Sequence, residues 1–131
     1  MSDRSDPPAA PALDAESLAE IRRGIREPWR PVEVGRVNES VVRMALLHGE
    51  FPWHRHAEDE MFLAYEGEFD LETEHGTVRL RAGDFHVVRA GVRHRPVARQ
   101  PAVTLLFERI ETRQYGEPET EPRDPNHPKA T

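Results

Sequence analysis

Residues Gly49–Gly67 read GEFPWHRHAEDEMFLAYEG and place His54, His56 and Glu60 close together in the chain. In an extended segment every second side chain points to the same face, so His54 and His56 face the same way. Imidazole and carboxylate are ordinary ligands for divalent first-row metals. The reach of the chain adds a constraint. A straight strand over residues 54–60 would hold its ends roughly 20 Å apart at about 3.3 Å per residue. Ligands of one ion sit about 2 Å from it. The chain must therefore reverse at Ala57-Glu58-Asp59 if all three residues bind one metal. A short polar connection of this kind suits a hairpin. The stretch predicts strand, tight loop, strand, with ligands on both arms.

A further candidate ligand lies downstream. Residues Gly83–His94, GDFHVVRAGVRH, read as a strand over Phe85–Val88, a glycine turn at Gly91, then His94. Together the two stretches resemble the motif pair of the small single-domain cupins. In the first motif Gly49, His54, His56, Glu60 and Gly67 fill the family positions, with the first spacer one residue short. In the second, Gly83, Gly91 and His94 match, while Arg89 stands at the family's proline and Ala98 at its asparagine. Neither substituted position is a metal ligand in the family. The resemblance covers about residues 30–111. It implies an all-β jelly-roll (double-stranded β-helix) barrel, with His54, His56, Glu60 and His94 as metal ligands. Such a set leaves two positions open on a six-coordinate ion. Fe(II), Mn(II), Ni(II) and Co(II) fit it, and Zn(II), which prefers four ligands, belongs among the candidates.

The rest of the chain agrees with one barrel. Residues 1–12, with Pro7, Pro8 and Pro11 among small and polar residues, read as a disordered tail. Residues 13–27 read as a short helix: Asp14 or Ser17 can cap it, Leu18, Ile21 and Ile25 recur at helical spacing, and Pro28 prevents continuation. From Trp29 the period shifts toward two. Strands are expected at Val32–Val37, Val41–His48, Glu60–Tyr65, Phe69–Glu74, Thr77–Arg81, Phe85–Val88, His94–Ala98 and Val103–Ile110. Many short strands with regular turns and no intervening helix predict a sandwich or barrel. Phe51, Trp53, Phe62, Met44, Phe85 and Phe107 are expected to share its lining and core. Residues 112–131, rich in Pro, Glu and Thr, read as a second disordered tail that includes His127.

Composition narrows the function. The 131 residues suit one domain. No cysteine is present, which excludes disulfides, thiolate catalysis and Cys-ligated metal. The net charge of −6 argues against a nucleic-acid module. No apolar run approaches the roughly 20 residues of a membrane span, and the N-terminal residues have no apolar h-region. The expected setting is cytoplasmic. Arg89, Arg93, Arg95 and Arg99 crowd the second motif, either as solvated turn and edge residues or with one or two at the pocket mouth to attract an anion.

Two readings of function follow. One is a metalloenzyme acting on a small apolar or carbonyl-bearing molecule, for which the resemblance implies dioxygenase, isomerase or decarboxylase chemistry. The other is a metal-stabilised module that binds or senses a small molecule without turnover. Glu60 and His48 are the candidate catalytic residues, with His86 a further candidate either to hydrogen-bond a metal ligand or to carry a proton. His75 reads as a turn residue. A homodimer is expected, because the family packs barrels in pairs and the short helix and first strand have few obvious partners.

Overall fold

The computed structural model describes residues 13–118. Helix α1 spans Leu18–Gly24, shorter than the 13–27 expected. Its start is set by Ser17, whose hydroxyl accepts from the Glu20 backbone N–H at 3.2 Å. Its end is set by Ile25, which turns extended and buries its side chain against the barrel.

Seven strands follow: β1 (Val32–Val37), β2 (Ser40–Glu50), β3 (Glu60–Glu66), β4 (Glu68–Thr73), β5 (Gly76–Arg81), β6 (Phe85–Val88) and β7 (His94–Arg109). Every pairing between them is antiparallel. The order is β1-β2-β7-β3-β6, with β4 also on β7 and β5 on β4. This is the expected all-β jelly roll with one short helix.

Two strand expectations differ from the structure. The separate strands at 94–98 and 103–110 are one long strand, β7. Its first half pairs with β4 and its second with β3, while β2 runs along both. The exposed residues 99–101 bulge out where the register with β2 shifts between Leu47 and Gly49. Gly49 takes φ +90° there, a conformation that suits glycine. The second difference is the arm carrying His54 and His56. It forms a single bridge, His54 to His94, and not a strand. Pro52 has no N–H to give a ladder, so the arm is tied by individual bonds. His54 N–H donates to His94 O at 3.0 Å, His94 N–H returns to His54 O at 2.8 Å, and Gly91 N–H donates to His56 O at 2.8 Å.

Alternation along the strands divides the apolar residues into two sets. Ala45, Leu47, Phe62, Ala64, Leu71 and Leu106 belong to the set that fills the barrel. Met44, Leu46, Val103 and Leu105 face the other way and are covered by Leu18, Ile21 and Ile25. Fully burying a side chain such as Phe69 or Leu71 is worth about 1.5–3 kcal/mol.

Met44 is buried in the core as expected, beneath the helix. The same parity corrects two of the expected lining and core residues. Phe107 lies between the inward Leu106 and Glu108 and is 37% exposed, and Phe85 is 62% exposed. A shift of one residue reverses the face a side chain occupies. Phe51 and Phe62 are buried as expected, and Trp53 is half-buried beside the Arg95 guanidinium. Among the described residues no helix is long and apolar enough to cross a membrane. The tail expected at 1–12 lies outside the described residues, as do residues 119–131, with His127, of the tail expected at 112–131.

Candidate metal centre

Four side chains meet at one end of the barrel. His54 and His56 come from the arm before the 57–59 reversal, Glu60 from the start of β3, and His94 from the start of β7. One ligand atom from each lies within 4.8 Å of the others, and all four residues are buried. The reversal read from chain reach is therefore present and brings Glu60 back to the histidines.

The hydrogen bonds orient these donors inward. His54 Nδ1 lies 2.8 Å from Pro52 O, and His94 Nδ1 lies 2.9 Å from Val92 O. A carbonyl can only accept, so in each ring Nδ1 carries a hydrogen and Nε2 is the nitrogen left to the cluster, able to ligate once it holds no proton. His94 Nε2 is 3.2 Å from Glu60 Oε1 and His56 Nε2 is 3.3 Å from the same oxygen. Among the described residues, neither ring nitrogen of the buried His56 has an aligned hydrogen-bond partner. Buried polar atoms without partners are rare. Three imidazoles and a carboxylate converging at this spacing fit a divalent ion.

Electrostatics favour the ligating forms. Burial, then the neighbouring His94, pushes His54 down to about 3, so at neutral pH it is the uncharged imidazole that a metal requires. Burial alone would raise Glu60. The imidazoles of His56 and His94 outweigh burial and hold the carboxyl well below the ordinary range.

A second buried carboxyl stands beside the first. Glu108 on β7 is the cross-strand register partner of Glu60. Burial, then Glu60, pushes it up to about 9, against the opposing pull of Arg43. Two adjacent carboxyls share one negative charge, and Glu108 keeps the proton. Arg43 Nη1 donates to Glu108 Oε2, and Arg43 Nη2 donates to Ile110 O at 3.0 Å. Glu108 and Arg43 carry no motif signal. Only the register of β2 and β3 on β7 brings them together.

A cavity of about 290 Å³ opens against this cluster. His54 and Glu60 line it, as do Arg43, Glu108 and Thr112, and Phe51, Phe62 and Leu106 supply apolar wall. The candidate His48 is exposed and does not line it, because it sits where β2 shifts register on β7. His86 is half-buried on β6, opposite Phe62, and is not part of the wall either. His75 is exposed beside Gly76 in the β4–β5 turn, as read. None of Arg89, Arg93, Arg95 and Arg99 lines the cavity; the arginine that does is Arg43. Arg89 pairs with Asp59 at 3.4 Å, and Arg95 with Glu72 at 2.8 Å.

The chain after β7 also shapes the site, where a tail was expected from 112. Thr112 is buried, Gln114 Nε2 donates to Trp29 O at 2.7 Å, and Tyr115 stacks on Phe51 with centroids 4.9 Å apart. Glu117 N–H donates to Arg55 O at 2.9 Å. Gly116 sits against the His54 arm with φ +84°, so close that a Cβ would lie 2.5 Å from Arg55 O and 2.9 Å from His54 Cβ. Trp29, at φ 64°, lines the cavity beside this strap, its ring centroid 5.0 Å from that of Phe51. A low apolar content conceals such a strap, because backbone bonds and one aromatic stack hold it.

Comparison with known proteins agrees with this geometry. The family model described as the cupin domain matches residues 41–108. The protein YdbB of Bacillus subtilis is 30% identical over 95 residues, covering 71% of this chain and 84% of YdbB. A cupin-2 domain protein from Shewanella frigidimarina superposes with TM-score 0.70 at 26% identity, covering 72% of this chain and 93% of its own. Hydroquinone 1,2-dioxygenase from Sphingomonas sp. TTNP3, solved with 4-hydroxybenzoate bound, shares the fold with TM-score 0.62 at 22% identity over 82% of this chain and 84% of its own. On motif, fold and family match together, this chain belongs to the cupin family.

Proposed function

We propose that the protein is a metal-dependent cupin enzyme that holds one divalent ion through His54, His56, Glu60 and His94 and acts on a small molecule in the adjoining cavity. The observation that carries this reading is the convergence of four buried donors within 4.8 Å of one another, two of which, His54 and Glu60, line the cavity. The ion is one of Fe, Mn, Ni, Co or Zn. When bound, it would supply a Lewis acid with coordination positions left for substrate. The chain's own groups do the rest. The Nδ1–H bonds of His54 and His94 to backbone carbonyls fix the imidazoles, and Phe51, Phe62 and Leu106 keep water from the reacting centre. Glu108, which holds a proton beside Glu60, is the group able to give one to a substrate oxygen.

Dioxygenase-like chemistry on a hydroxylated ring is the leading reaction class, suggested by the fold shared with hydroquinone 1,2-dioxygenases. An isomerase reaction is kept beside it. The second reading, a binding or sensing module without turnover, is favoured by the absence of His48 and His86 from the cavity wall. Oxygen uptake by Fe(II)-loaded protein on catechols, hydroquinones and diketones separates the two. Uptake that depends on both metal and substrate is expected. Tight ligand binding without any turnover would favour the module.

A cytoplasmic homodimer belongs to the same proposal. Exposed Phe85 and Phe107, with Met61 opposite Phe107 in the ladder, offer an apolar outer face. Light scattering giving a monomer at micromolar concentration would count against it.

A further inference from the structure

Among the described residues that line the cavity, Arg43 is the one arginine or lysine. It lies on β2 two residues before Ala45 and shares that residue's inward face. Its side chain keeps 17% of its surface accessible, against 5% for the Glu108 side chain beside it. Arg43 is therefore the member of the pair that offers surface to a ligand. Nη1 donates to Glu108 Oε2, and Nη2 donates to Ile110 O at 3.0 Å. Those bonds fix the plane of the guanidinium and engage two of its five N–H donors. A guanidinium held in one plane suits a carboxylate, which it can grip through two parallel bonds.

The charges around Arg43 favour an anion. Glu33, its register partner on β1, is exposed and held at both carboxylate oxygens by Arg36. Among the described residues the acidic groups on the cavity wall are Glu60 and Glu108. Arg43 and a divalent ion at the His/Glu cluster outweigh these two carboxyls, whether or not the carboxyls share a proton. The positive excess lies beside the apolar faces of Trp29, Phe51 and Phe62, where water screens it less than in the open. A neutral ligand leaves this charge standing, and a monoanion offsets it.

We propose that Arg43 anchors the carboxylate of a small aromatic acid and so sets the cavity's preference for monoanionic over neutral ligands. The inference deepens the metal reading by naming a substrate class, and it rests on that reading for the balance of charge. Size follows from the cavity of about 290 Å³, at the small end of ligand pockets. A flat ring suits the faces of Trp29, Phe51 and Phe62. The attraction of an anion, considered in the sequence for Arg89, Arg93, Arg95 and Arg99, thus falls to an arginine outside both motifs.

The test compares benzoate with benzamide, two ligands of nearly the same shape that differ by one charge. Binding to zinc-loaded protein at neutral pH is followed by chemical-shift titration for the wild type, Arg43→Met and Arg43→Lys. Zinc content is measured on the same samples. The wild type should bind benzoate about tenfold or more tighter than benzamide. Arg43→Met should lose most of that preference, with benzamide affinity and zinc content unchanged. Arg43→Lys keeps the charge without the planar fork, so it should keep only part of the preference, and it stands as the test if Arg43→Met does not fold. A wild type without the preference would overturn the proposal. A preference undiminished by either substitution would overturn it too, with the carboxylate held by the ion. An equal loss of affinity for both ligands would leave Arg43 a purely structural role and count the same way. If the wild type takes up no zinc, the metal reading fails by itself. The titration of that metal-free protein then decides the anchor: a benzoate preference that Arg43→Met removes upholds it, and no preference overturns it.

Discussion

Replacing Glu108 with Gln should remove the alkaline instability of the metal-free protein. The wild-type carboxyl is pushed up to about 9 from an ordinary 4.5, first by burial and then by Glu60. The folded state therefore keeps a proton that the unfolded state releases. Its stabilising contribution is complete below pH 4.5 and is lost as pH rises toward 9. His54 acts in the opposite sense. Its folded value is lowered from 6.5 to about 3, so its contribution is present above pH 6.5 and is lost as pH falls toward 3. Glu60, also lowered, adds to the acid loss. Between pH 4.5 and 6.5 the slopes from Glu108 and His54 cancel, which places a plateau there. From pH 6.5 to 9 only Glu108 changes among these groups, and the loss is about 3 kcal/mol at 1.36 kcal/mol per pH unit. For a domain of this size that is a fall in Tm of about 10 °C or more. The assay is urea and thermal unfolding by circular dichroism in chelator at pH 5.5, 7 and 9. Glu108→Gln has no proton to lose, so its stability should be nearly level between pH 6.5 and 9. An equal alkaline loss in the variant would assign it to other groups and refute the shared-proton account.

Two further outcomes test the strap and the core. Gly116→Ala should weaken metal binding about tenfold or more, since its Cβ would meet Arg55 O at 2.5 Å and His54 Cβ at 2.9 Å and displace the arm or the strap; calorimetric titration with Co(II) reads the effect, and wild-type affinity would show the contact to be idle. Leu71→Ala, at a fully buried barrel position, should cost about 2–5 kcal/mol by urea unfolding. Phe85→Ser, at an exposed position, should stay within about 0.5 kcal/mol, and a larger loss in the monomer would mean that its face has been misassigned.

The cluster could be read from the chain because its constraints are local. His54, His56 and Glu60 must share an ion through one short reversal, and His94 follows a glycine turn at family spacing. The partners of the cluster could not be read that way. Glu108 and Arg43 reach the site only because β2 and β3 both lie against β7, and each register must be correct to the residue. Phe85 and Phe107 show the same limit from the apolar side, since hydrophobicity does not tell which face of a strand is inside. The strap at 112–117 escaped composition because backbone N–H groups and a glycine hold it. The face of His48 depends on the register shift after Leu47, which turns that end of β2 away and leaves no mark in the sequence.

The most direct test of the metal-centre reading is stoichiometric Co(II) titration of chelator-stripped protein, wild type against His56→Ala. Among the described residues, His56 is the buried imidazole without an aligned partner on either nitrogen, so the ion has most to gain from it. The barrel core lies elsewhere, and the variant should remain folded and β-rich by circular dichroism. The wild type should bind one ion per chain. His56→Ala should bind at least about a hundredfold more weakly. Glu60→Gln should fall between the two, because its amide oxygen can still coordinate. Wild-type stoichiometry and affinity in His56→Ala would contradict the assignment of all four ligands.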